Sequence, residues 1–398
     1  MTGFLGPTST CGRIGHPVIT MIATTVILAV LAIPAATLRL GLPDGSSAAH
    51  DSTGYRSYTL VADNFGPGRN GTTLAVAKIS PKTAKALTKN DLDDLEVRIA
   101  RGFATTAGVS SAIPVGHSKD HQTLVFSITP KTGPTDEATS ALVHTLRADR
   151  ALVMSTNNLT SLSFAGATVA NIDIAQRLAE ALPGYLAVVV GISVLLLLLV
   201  FRSLLVPLIA TVGFLLSVAA AFGASVAVYQ WGWLGPIFGV ETPAPLLAFL
   251  PVLAIGILFG LAMDYQVFLV SGMREAWTQG GNAKVAVRSG FSHSSRVITA
   301  AALIMTAVFS SFMLSPITVV KPIGFILTAG VLFDAFIVRM TLVPAVMSVL
   351  GKHAWYLPRW LDRLLPHLDI EGSQLAAPPR KHRVEIIHPE FLTAREVS

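Results

Sequence analysis

Asp264 and Tyr265 stand side by side in the run Phe259-Gly260-Leu261-Ala262-Met263-Asp264-Tyr265-Gln266-Val267-Phe268-Leu269-Val270. The surrounding stretch starts near Leu246, is otherwise almost wholly apolar and is long enough to cross a bilayer. A charged side chain at that depth costs at least about 2.5–3.5 kcal/mol on insertion scales, and acids retained there mark ion routes, partners or wet cavities. Asp264 is therefore a candidate proton acceptor. The competing reading is a permanent ion pair that only fixes the fold. The relay reading is preferred because intramembrane acids so commonly line ion routes. Gly256-Ile257-Leu258-Phe259-Gly260 precedes the pair, and glycines at this spacing let helices approach closely.

A second pair of charges, Asp334 and Arg339, lies in another apolar stretch. On an α-helix residues five apart do not share a face, so each is expected to find its partner elsewhere, in a structural role. Arg339 is expected to snorkel toward the cytoplasmic side. Ser294, Ser295, Thr299, Thr306, Ser310 and Ser311 mark the fifth apolar stretch and its entry. Such hydroxyls glue helices or line a hydrated path, with glue the default reading; Thr306 and Ser310 are the candidates for supporting the intramembrane site.

Enzyme chemistry finds little footing. His117, His121 and His144 do not form H-E-x-x-H, no G-x-S-x-G occurs, and Phe65-Gly66-Pro67-Gly68-Arg69-Asn70-Gly71 lacks phosphate-loop spacing. His117 and His121 flank a predicted turn and read as surface residues. The single cysteine, Cys11, excludes an internal disulfide and a cysteine-based metal cluster. No cofactor or metal is expected.

The elements that must position these residues are membrane spans. Of 398 residues only 13% are charged, against about 25% in soluble domains, and mean hydropathy is +0.61. Six apolar spans are predicted near Pro17–Leu38, Pro183–Phe201, Leu204–Tyr229, Pro245–Val270, Val297–Leu314 and Pro322–Leu350. The first exceeds the usual 7–15-residue core of a signal peptide and reads as an anchor. The net charge of +6 is explained by topology rather than by nucleic acid. Arg13, Arg202, Arg274, Lys284, Arg288, Arg296, Lys352, Arg359 and Arg363 fall on one side of a six-span thread. The opposing loop from Gln230 to Ala244 has no Lys or Arg. The bias puts both termini in the cytoplasm and the long segment between the first two spans outside.

That segment, residues 41–182, reads as an α+β domain of β-α-β-β-α-β order. Strands are predicted at Thr72–Ile79, Val109–Val115, Thr123–Thr129 and around Leu162 and Phe164. One helix follows Asn90 and a second runs from Pro134 to about Ala151. The expected division is therefore 1–40 with the first span, 41–182, a five-helix bundle at 183–350, and a partly disordered cytoplasmic tail at 351–398.

Residues Phe259 to Glu275 resemble the hallmark segment of the MMPL transporters of the resistance-nodulation-division superfamily. Ser203-Leu204-Leu205-Val206-Pro207, Phe333 to Ala345 and Trp355 to Asp362 resemble other segments of the same family. The resemblance covers nearly the whole chain. It implies a bacterial plasma-membrane transporter with a porter-like outer domain, exporting lipids or other hydrophobic compounds at the expense of a proton gradient. It also implies that Asp264 and Tyr265 belong to the proton relay. Gly272 departs from the family's usual Arg. Family members usually have about twelve spans in two repeats, and this chain resembles the C-terminal repeat. The expected partners are a lipid or hydrophobic substrate, protons, and a second copy or a first-half protein that supplies the facing pair. The alternatives are an inactive fragment or partner subunit of a split transporter, and a protein-translocation accessory of the same superfamily.

Overall fold

The structure is a computed structural model that describes residues 16–278, 283–358 and 360–361, with the side chains of residues 268, 272–278 and 283–294 excepted. Six helices are long and apolar enough to cross a membrane: Pro17–Thr37, Ala167–Phe201, Leu205–Gln230, Leu250–Ser271, Ser295–Met313 and Val320–Trp355. The first comprises α1 (Pro17–Ala32) and a 3-10 turn from Ile33 to Thr37.

Between the first two spans lies an α+β domain. Its strands are β1 (Thr73–Ile79), β2 (Val109–His117), β3 (Thr123–Pro130) and β4 (Leu159–Ala165). They form one antiparallel sheet in the order β2-β3-β1-β4. Along β1, Thr73, Ala75, Ala77 and Ile79 are buried, the period of two that puts alternate side chains on one face. Leu92, Leu95, Ile99 and Phe103 recur every three or four residues on the helix Lys89–Ala104 and close the core over Phe126 and Ile128. Thr88, rather than Asn90, caps that helix. Its hydroxyl accepts from the Asp91 N–H while the Asp91 carboxylate accepts from the Thr88 N–H. The helix predicted to run to Ala151 is two, Glu137–Ala148 and Arg150–Thr156.

A boundary at residue 183 does not exist in the helix. Ala167 to Phe201 is one helix of 35 residues with Pro183 inside it. Proline costs a helix one backbone donor, but neighbouring helices and water at the membrane edge can satisfy the freed carbonyl. At 1.5 Å per residue this rod is about 50 Å long, well beyond a hydrocarbon core of about 30 Å. It runs from the α+β domain into the bundle.

Within the bundle, α1 crosses the third span, α2 (Leu205–Ser225). A Cβ on Gly223 would sit 2.0 Å from the Leu31 carbonyl oxygen, so only glycine allows this approach. Gly223→Leu is expected to force the two helices apart and cost about 1–3 kcal/mol, the usual range for overpacking. It should appear as a lower unfolding temperature of the detergent-purified chain.

Two sets of contacts tie loops to span ends. At one end, Gln230 Nε2 donates to the Arg39 carbonyl (2.6 Å), and Leu40–Gly41 pairs in parallel with Leu246–Leu247. At the other, Ser203 Oγ donates to the Ala354 carbonyl (2.5 Å) and the Leu204 N–H to the Tyr356 carbonyl. The latter set brings together two segments that carry the family resemblance.

Candidate functional site

The fourth span belongs to α3 (Leu250–Thr278). Successive residues of an α-helix turn by about 100°. Asp264, Tyr265 and Gln266 therefore fan around its axis. Asp264 is exposed, Tyr265 is 9% exposed and Gln266 is 1% exposed. Leu253, Ile257, Gly260 and Asp264, three or four residues apart, form one exposed stripe. A Cβ on Gly260 would meet nothing within 4 Å, and one on Gly256 would meet only the Tyr185 hydroxyl.

The close helix approach expected at the glycines is thus corrected beside Asp264. The chain's own bundle leaves that carboxylate uncovered, on the same stripe as Gly260. The physical reason is rotational: Gln266, two positions on, takes the buried face, which turns Asp264 outward.

Asp334 and Arg339 require a second correction. They are direct partners. The sixth span opens with α4 (Val320–Leu332), continues as a π-helix from Phe333 to Leu342 and ends in α5 (Val343–Leu350). In a π-helix the bonding runs from i to i+5, so residues five apart stack above one another. Arg339 Nε donates to Asp334 Oδ2 at 2.5 Å, and Thr341 Oγ1 reaches the Phe336 carbonyl across the same interval. Arg339 does not snorkel; its side chain is 1% exposed. Its Nη1 donates across the bundle to Gln266 Oε1 at 2.8 Å.

The buried ion pair and α3 are therefore joined. The Tyr265 hydroxyl lies within electrostatic reach of Arg339, Asp334 and Asp264. Among the described residues, Tyr265 OH and Asp334 Oδ1 are buried without a hydrogen-bond partner. Each unmade bond leaves that group's desolvation cost unrepaid, so both atoms gain when a rearrangement brings them a partner.

The fifth-span hydroxyls divide. Ser310 donates to Ala307 and Ser311 to Val308, both within their own helix, α6 (Ala283–Met313). Thr306 Oγ1 is buried without a partner. Thr299 bonds the Ser295 carbonyl and reaches Met340 Sδ at 3.6 Å in the sixth span. The side chains of Ser294 and Gly272 lie outside the described residues. In the α+β domain, His117 Nδ1 is 2.9 Å from Glu96 Oε1 and the His117 and His121 rings meet at 4.8 Å. His117 and His121 are exposed at the turn between β2 and β3, as the sequence indicates, and His117 pairs there with a mostly buried acid.

Gln266 is the site residue that sequence reasoning missed. Its signal was present: a third polar residue in the apolar run, about 200° around the helix from Asp264.

Six helices long and apolar enough to cross a membrane, one of them carrying an acid and a tyrosine beside a buried ion pair, make this a multi-pass membrane protein. The profile of the MMPL family matches residues 68–366, and the chain belongs to that family, within the resistance-nodulation-division superfamily. It is 44% identical over 360 residues to Membrane protein YdfJ of Bacillus subtilis, covering 90% of this chain and 48% of YdfJ. It is 32% identical over 358 residues to the mycolic acid-containing lipids exporter MmpL11 of Mycolicibacterium smegmatis, covering 89% and 37%. Over 221 residues it is 34% identical to the trehalose monomycolate exporter MmpL3 of Mycobacterium tuberculosis, covering 55% and 23%. The chain thus spans about half or less of the length of these relatives, in their C-terminal half.

Proposed function

We propose that this chain is one half of a proton-driven exporter of lipids or other hydrophobic compounds, with Asp264 and Tyr265 as its proton relay. The observation that carries the reading is the outward carboxylate of Asp264 on a stripe that includes Gly260. An acid facing lipid is costly, whereas an acid facing a second helical bundle through a small-residue groove has both cover and a partner. A second copy can supply that bundle through a two-fold contact along the stripe of Leu253, Ile257, Gly260 and Asp264. A separate first-half protein can supply it equally well. The roles of MmpL11 and MmpL3 as lipid exporters support the class of cargo. The basic flanks of the spans favour cytoplasmic termini and an outer α+β domain in a bacterial plasma membrane.

A second reading, a partner subunit that does not transport alone, is favoured by the exposed Asp264 stripe, which a different bundle can cover. Proteoliposomes separate the two. The probe is a fluorescent long-chain acyl lipid, with a pH gradient imposed across the vesicle. Gradient-dependent movement by this chain alone, abolished by a protonophore, is the expected result for a self-sufficient dimer. Movement only when a first-half protein is co-reconstituted favours the subunit. No movement in either case contradicts transport.

A further inference from the structure

We infer that Gln266 is a positioning residue that couples the relay helix to the ion pair of the sixth span; the inference rests on the transport reading above. Arg339 is almost wholly buried and has two partners of different strength. One is the Asp334 carboxylate, on its own helix. The other is a neutral amide oxygen, that of Gln266 on α3. The bond to the carboxylate is charge-assisted on both sides, whereas the bond to the amide is assisted only by the guanidinium. The pair is the firm unit, and the amide is the link that can yield.

Gln266 also stands next to Tyr265, so any rotation of α3 that re-aims Asp264 and Tyr265 must stretch or carry the Gln266–Arg339 bond. Two buried polar atoms, Tyr265 OH and Asp334 Oδ1, are without partners in this arrangement. They offer Arg339 and its surroundings a second set of bonds once the helix turns. Gln266 thus holds the guanidinium in register with the relay in one state and transmits helix motion to the sixth span on the way to another. Reach is essential to the role: a side chain one methylene shorter cannot close a bond of 2.8 Å from the same backbone.

Among the described residues, few charged and titratable groups lie beside this link. Tyr265 comes from its own helix and Asp334 and Arg339 from the sixth span, while Asp264 points about 200° away. Tyr185 of the second span bonds the Val252 carbonyl, about four turns along α3 from Gln266. Arg296 of the fifth span is exposed.

The test uses the full chain, with its first-half protein if transport requires one, in the vesicles and with the acyl-lipid probe described above. Gln266→Leu and Gln266→Asn are expected to lower kcat about tenfold or more with KM little changed, as fits an interaction used in the conformational step rather than in binding. Gln266→Glu keeps the reach and the acceptor. It should restore most of kcat while giving the pH profile an added titration from the new carboxyl. A wild-type kcat and pH profile in both Gln266→Leu and Gln266→Asn, beside an inactive Asp264→Asn, would overturn the coupling role and leave the relay standing. Normal transport by Asp264→Asn would overturn the relay and the coupling with it. A double-mutant cycle on unfolding temperature with Arg339→Met reads the bond without transport. Non-additive effects are expected, and additive effects overturn the link.

Discussion

Asp264→Asn is expected to reduce gradient-driven lipid movement by about a hundredfold or more, the low end of what a positioned proton donor or acceptor contributes. Asparagine keeps the shape and loses the ionisable carboxyl. Insertion should be unharmed or improved, since a neutral amide at membrane depth costs less than a carboxylate. The substituted side chain also lies on an exposed stripe, so no core packing within the chain is disturbed. Membrane yield and unfolding temperature should therefore match the unmodified chain while transport disappears. A transport rate near wild type would remove the basis for the relay.

Arg339→Met is expected to have the largest effect on stability. Removing one member of a buried ion pair leaves the other charged and desolvated, typically at about 3–5 kcal/mol. Here the loss strands Asp334, whose side chain is 9% exposed, and deprives Gln266 of its partner. The double variant Asp334→Leu/Arg339→Met should recover most of the loss, because two apolar side chains of similar volume owe no solvation cost. Unfolding of the detergent-purified chain measures both. If the double variant is as unstable as the single, the pair is not what Arg339 supports.

Those two variants mark where sequence reading succeeded and where it stopped. The spans were legible because a run of about twenty apolar residues matches the thickness of a bilayer and exceeds what a soluble core usually buries in one helix. The strands were legible in β1 and β3, where alternation and β-branched residues agree. The direction of Asp264 was not legible. A helix that is apolar nearly all round gives no pattern from which to choose its inward face, so Asp264 could be placed in depth but not in azimuth. Gln266 resolves that choice only once its partner on another helix is known. The Asp334–Arg339 pair was hidden by an assumption about the helix itself. Five residues apart is a mismatch on an α-helix and a match on a π-helix, and no local residue pattern announces the wider turn. Pro183, which would end a soluble helix, stands inside a continuous one that runs from the α+β domain into the bundle.

The two corrections point the same way. The π-segment gathers its charges inward, and Gln266 fastens them to α3. What is left outside is Asp264, with Gly260 one turn below it. The account therefore depends on what meets that stripe in the membrane. Replacing Ile257 with cysteine in a Cys11→Ser background, then oxidising intact membranes, tests it most directly. The account predicts a disulfide-linked species, either twice the mass of the chain or, when the first-half protein carries a cysteine on its own facing stripe, one joining the two. An Ile257→Cys chain that stays single under both conditions, with its thiol reacting only with reagents dissolved in lipid, would contradict it.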